Sequence, residues 1–158
     1  MGRYVTRGKS FDEFQVGQEF VTASRTVTEA DVVAFAGLSG DFNPLHVDEE
    51  YAKNTPLKGR VAHGALILSM ATGLANQLGI FEGTTIALLS MTTRFIAPVR
   101  FGDTIRCQFR VVEKKESKKP DRGIATFGIS ILNQRDEPVI EGDWVVMLAR
   151  GEGGKDEA

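Results

Sequence analysis

The sequence holds a single cysteine, Cys107, among 158 residues. One thiol forms no internal disulfide and no cysteine-based metal site. It suits a reducing cytoplasm, which is the expected location. Histidine is nearly as scarce, with only His46 and His63. These two show no HExxH or HxH spacing, so no metal is expected. The chain also lacks a P-loop, a GxGxxG turn and a GxSxG elbow. Nucleotide hydrolysis, dinucleotide redox chemistry and the α/β-hydrolase mechanism therefore have no motif to rest on. There is no excess of positive charge: 19 Lys and Arg stand against 21 Asp and Glu, for a net charge of −2. With no aromatic-basic pattern either, no nucleic-acid partner is expected.

Met1 to Ser10 is polar and basic and has no apolar run of the secretory kind. The stretch between His63 and Glu82 is free of charge and approaches the length of a membrane span. It carries Ser69, Thr72, Asn76 and Gln77 and has no aromatic belt, so a helix buried inside a domain is the better reading, and no membrane partner is expected.

What is present reads as one domain over residues 1–150 with a polar, glycine-rich tail at 151–158. Phe11 to Gly17 reads as an entry loop and Gln18 to Val27 as a first strand. Thr28 and Asp31 form a capping box, with Val27 and Val32 placed as a hydrophobic staple, for a short helix ending near Ser39-Gly40. Asp41 to Leu45 cannot continue that helix, because Pro44 restricts Asn43. A second short helix follows from Asp48 to about Lys53. The longest helix is expected from about Ala62 to Leu78, with Gly79 as its stop. Four strands then follow at Thr84–Ile96, Thr104–Glu113, Gly123–Leu132 and Val139–Leu148. Ile105, Cys107, Phe109 and Val111 alternate with polar neighbours. Consecutive strands with short connections make an antiparallel sheet, and the long apolar helix must cover one face of it. The fold class is α+β.

The run Phe35-Ala-Gly-Leu-Ser-Gly-Asp41-Phe-Asn43-Pro-Leu-His46 places a carboxylate, an amide and an imidazole within six residues of a proline-stiffened turn. Such a loop can aim Asp41 and His46 at one point, as acid-base chemistry requires. The same residues also serve as a turn cap and a polar surface side chain in many proteins. In Arg60-Val-Ala-His63-Gly64, a glycine falls in the first turn of the long helix, where backbone amides are free and the helix end is positive. A carbonyl oxygen gaining charge would be stabilised there, and tight helix packing would equally call for the glycine. The basic run Lys114 to Arg122 reads as a solvated loop. Arg60 and Arg94 join it as candidate contacts for coenzyme phosphates.

The run from Phe35 through Asp41-Phe42-Asn43-Pro44-Leu45-His46 to Ala52 resembles the signature of the MaoC-like dehydratases, the R-specific enoyl-CoA hydratases. His63-Gly64 resembles the family's second landmark. Phe95-Ile-Ala-Pro98-Val99-Arg-Phe-Gly102-Asp103 resembles a third, shared by many hot-dog proteins. The resemblance spans about Phe11 to Leu148. It implies a hot-dog fold, with an antiparallel sheet wrapped around the central helix, and a homodimer or dimer of dimers. It implies hydration of a trans-2-enoyl-CoA to an R-3-hydroxyacyl-CoA, or the reverse, within fatty acid metabolism. On this likeness Asp41 and His46 are catalytic. Asn43, His63, Gly64 and Thr72 fall on substrate-binding positions, and Thr72 stands where many members have serine. No cofactor is implied, since coenzyme A arrives as part of the substrate. The competing readings are a hot-dog thioesterase, which would send water to the carbonyl carbon, and a non-catalytic acyl-binding module.

Overall fold

A computed structural model describes residues 5–151. Apart from Gly151, the expected tail therefore lies outside the described residues.

Ser10 and Glu13 cap a short 3-10 turn at Phe11–Glu13, whose Phe11 and the following Phe14 are buried. The expected entry loop is thus a packed part of the core. Strand β1 (Glu19–Val21) and strand β2 (Arg25–Thr26) occupy the stretch expected to be one strand. The break falls at the buried Thr22, whose hydroxyl accepts the Cys107 amide at 2.9 Å while its own amide donates to the Cys107 carbonyl. A side chain has entered the ladder in place of the backbone, so the strand bends there. Helix α1 (Glu29–Ser39) begins at the expected capping box, with the Asp31 amide donating to Thr28 Oγ1 and the Thr28 amide to Asp31 Oδ2. Val27 and Val32 are both fully buried. Gly40 ends the helix at φ 78°, a left-handed conformation that suits glycine.

Two one-turn helices follow, α2 (Pro44–Val47) and α3 (Glu49–Ala52). Helix α2 was not expected. Asn43 is held out of the helical region, as the proline demands, and its side chain accepts the Leu45 amide, so the residue that stops one helix caps the next. The long helix α4 (Gly64–Gln77) starts two residues later than expected. Val61 and Ala62 are extended and tied sideways: the Val61 amide donates to Leu45 O at 3.1 Å and the Ala62 amide to Val99 O at 2.8 Å. Gly79 follows the helix at φ 76°.

Strands β3 (Thr85–Phe95), β4 (Thr104–Glu116), β5 (Arg122–Leu132) and β6 (Pro138–Ala149) complete the sheet. All pairings are antiparallel, in the order β1-β4-β5-β6-β3, with β2 also on β4. Strand β4 runs three residues past its expected end, because a register shift between Val111 and Glu113 lets its basic end keep pairing with β5. The α4 face bearing Leu66, Ile67, Met70, Ala71 and Leu74 lies in the core with Ile105, Cys107, Phe109 and Val111 from β4. Edge-to-face rings bind the layers: Phe14 and Phe81 stand 5.4 and 5.3 Å from Phe127. Such pairs add about 0.5–1.5 kcal/mol each beyond area burial. No helix among the described residues is long and apolar enough to cross a membrane.

Cys107 has no exposed surface, and burial pushes its thiol up to about 12. The thiolate is the reactive form, so at pH about 8 roughly one molecule in ten thousand carries it. The folded protein should therefore give no free-thiol signal with a disulfide reagent, and one equivalent after denaturation. A signal from the native protein would show that the core around β4 opens.

Candidate active site

The loop between α1 and α2 is built from short-range bonds. Ser39 Oγ donates to Phe35 O and accepts the Asp41 amide at 3.2 Å. The Asn43 amide donates to Asp41 Oδ1 at 3.2 Å. Asp41 is left exposed, and His46 is half-buried on α2. Two longer bonds fix the pair to the body of the fold, and both end on the extended segment before α4. His46 Nδ1 lies 2.7 Å from Val61 O. A carbonyl can only accept, so Nδ1 carries the hydrogen, and in the neutral ring Nε2 keeps its lone pair. His63 Nε2 lies 2.9 Å from the backbone carbonyl of Asp41 and donates to it.

Side-chain donor atoms of Asp41, His46 and His63 lie within 4.8 Å of one another. That spacing would admit a metal ion, but two imidazole nitrogens already face carbonyls, and His63 Nδ1 is buried. The remaining accessible donors are His46 Nε2 and the Asp41 carboxylate, fewer than the three or four protein ligands of zinc sites. Acid-base work needs only these two.

The structure thus brings Asp41 and His46 together as the sequence suggests. It places the other candidates differently from one another. Asn43 spends its side-chain oxygen on the Leu45 amide, so it shapes the turn that carries His46. His63 is 1% exposed. Its ring stacks on His46 at 3.7 Å between centroids and meets the edge of Phe35 at 5.0 Å. Gly64 opens onto an apolar cavity of about 440 Å³, lined by Leu57, Ala62, Phe95, Pro98 and Ile140 among others. Thr72 faces a separate hollow of about 220 Å³ with Phe81, Thr85 and Leu88, and its hydroxyl donates to Ser69 O. A larger hollow of about 680 Å³ lies beside Arg94, Arg110, Glu141 and Asp143 and includes neither Asp41 nor His46. Of the candidate phosphate contacts, Arg60 pairs with Glu29 and Glu49, Arg94 with Glu141 and Arg122 with Asp121, while Lys114 donates to Phe14 O.

Two contributors carry no chemical signal in the sequence. Val61 acts through its carbonyl, which any residue would supply. Phe95 belongs to a segment that reads as a turn signature, yet its ring lies against the Gly64 backbone. A Cβ at Gly64 would stand 2.4 Å from Phe95 Cε1, closer than van der Waals contact allows. The close approach accounts for the glycine. Phe95 is 59% exposed and its ring can give way, so Gly64→Ala should lower stability by only about 1 kcal/mol in denaturant unfolding, and Phe95→Ala should relieve most of that loss. An equal loss in both backgrounds would show that the ring is not the obstacle.

The MaoC like domain family matches this chain over residues 13–130. An (R)-specific enoyl-CoA hydratase of Rhodospirillum rubrum is 34% identical over 142 residues, covering 89% of this chain and 93% of that one. The crystal structure of a MaoC-like dehydratase from the same organism superposes with a TM-score of 0.83 at 30% identity, over 91% of this chain and 99% of the other. A Mycobacterium tuberculosis protein described as a double hot-dog fold superposes with a TM-score of 0.80 at 23% identity, over 96% of this chain and 46% of its own, and so bears on the fold alone. The antiparallel sheet around α4 is accordingly a hot-dog fold, and the chain belongs to the MaoC-like domain family.

Proposed function

We propose that this chain is a hydro-lyase that adds water reversibly across the double bond of a trans-2-enoyl-CoA, giving an R-3-hydroxyacyl-CoA. The observation that carries the reading is the exposed Asp41 carboxylate gathered with the His46 and His63 rings within 4.8 Å, at the residue that precedes the first turn of α4. The thioester carbonyl draws electrons from the double bond and makes C3 electrophilic. Asp41 and His46 orient one water between them. As its oxygen bonds to C3, the pair takes one proton, and a proton is delivered to C2. Charge growing on the thioester oxygen is met by the Gly64 amide and the positive end of α4. Water and proton balance in this step without a metal or organic cofactor, and the reading includes neither. The uncharged cavity beside Gly64 suits an aliphatic chain. The lone buried thiol is consistent with a cytoplasmic enzyme.

With crotonyl-CoA, enoyl-thioester absorbance should fall without release of free thiol. Thiol released above an enzyme-only blank, which accounts for Cys107, comes from the substrate and would mark a thioesterase instead. Asp41→Asn and His46→Gln should each slow the reaction by about 10²–10⁴-fold. Acyl-CoA binding with no turnover of any enoyl chain would favour a binding module.

The same reading includes a homodimer. Strand β3 is one edge of the sheet, and its Ile86, Leu88, Leu89 and Phe95 are 43–59% exposed in the single chain. An uncovered apolar edge strand invites pairing with another copy. Sedimentation equilibrium should give twice the chain mass, and a combined Leu88→Lys and Leu89→Lys variant should shift it toward one chain. An unchanged mass would move the interface elsewhere.

A further inference from the structure

His63 makes three contacts that hold the site together. It is buried, its ring is held between Phe35 of α1 and His46 of α2, and its Nε2 hydrogen goes to the Asp41 carbonyl. That bond joins residues 22 apart, whereas the other hydrogen bonds of Asp41 stay within two residues. His63 is therefore the long-range tie of the Asp41 loop. Its other nitrogen, Nδ1, is buried with no hydrogen-bond partner. The position therefore favours one tautomer, because a hydrogen moved to Nδ1 would have no acceptor and would free the Asp41 carbonyl.

Resting on the hydratase reading above, we propose that His63 is a positioning residue: its Nε2 hydrogen and its stacked ring fix the distance between Asp41 and His46. Burial separates it from substrate, so it acts through the pair. The two histidines then hold opposite tautomers, Nδ1–H in His46 and Nε2–H in His63. One faces Val61 O and the other Asp41 O, so each ring is oriented by a carbonyl from the other's segment. A displacement of about 1 Å in a reacting pair can cost about a hundredfold in rate.

Three measurements on the full chain test this. First, His63→Leu should lower kcat on an enoyl-CoA by about 100-fold with KM changed by less than about threefold, while His63→Gln, which keeps an N–H donor, recovers about tenfold of the loss. A raised KM at unchanged kcat would make His63 a substrate contact and overturn the proposal, as would unchanged kinetics in a folded variant. Second, the chain has only two histidines, so ¹⁵N-histidine labelling gives a simple spectrum. At about pH 8.5, above the ordinary imidazole range, the wild type should show one ring of each tautomer. Two rings of the same tautomer would overturn the proposal even if His63→Leu fails to fold. Third, the Asp41–Asn43 amide resonances should shift or broaden in a folded His63 variant, and unmoved resonances would overturn the tie. If the wild type hydrates no enoyl thioester, the hydratase reading fails on its own, and the second and third measurements still decide the role of His63.

Discussion

The site depends on the extended segment from Val61 to His63. Two backbone bonds hold it, one to Leu45 and one to Val99. From this short rail hang both reacting groups, His46 through the Val61 carbonyl and Asp41 through the His63 ring. The next residue, Gly64, opens the long helix, whose first-turn amides have no partner within the helix. The carboxylate-bearing loop, the His46 ring and the start of α4 are thereby referred to one piece of backbone, the kind of support that precise placement of side chains requires.

The rest of the fold makes that rail rigid. The segment runs straight into α4, which the sheet grips through Ile67, Met70, Ala71 and Leu74. The Val99 carbonyl comes from the turn between β3 and β4, so the sheet reaches the rail from the other side. The loop bearing Asp41 is stiff for local reasons: a left-handed glycine, an Asx turn and a proline-started helix follow one another within five residues. Rigidity is needed on both sides of the pair, because either partner could otherwise move away.

Much of this was legible in the sequence. The capping box at Thr28 and Asp31, the strand alternation in β4 and the apolar face of α4 are local signals, and local signals decide these elements. The motif through Asp41 and His46 was equally plain. What stayed hidden depends on atoms every residue has or on partners distant in the chain. Thr22 breaks the first strand because of the amide of Cys107, 85 residues away. Helix α4 starts late because Ala62 is bonded to Val99. His63 read as a substrate-binding position only through the likeness of His63-Gly64 to a family landmark; its burial comes from Phe35 of α1 and His46 of α2, which lie against its ring. Thr72 matched a family position, yet the helix turns it toward another hollow.

The same arrangement sets where the chain can change length. Residues 53–60 link α3 to the rail with no regular structure of their own. His46 is fastened before this loop, at Val61 after it, and nowhere along it. Insertions or deletions in 53–60 would thus alter the rim of the cavity near Leu57 and leave the reacting pair in register. Between Val61 and Gly64 a single added residue would turn one carbonyl away and rotate the start of α4 by about 100°. The first of these two neighbours can absorb a change of length, and the second cannot.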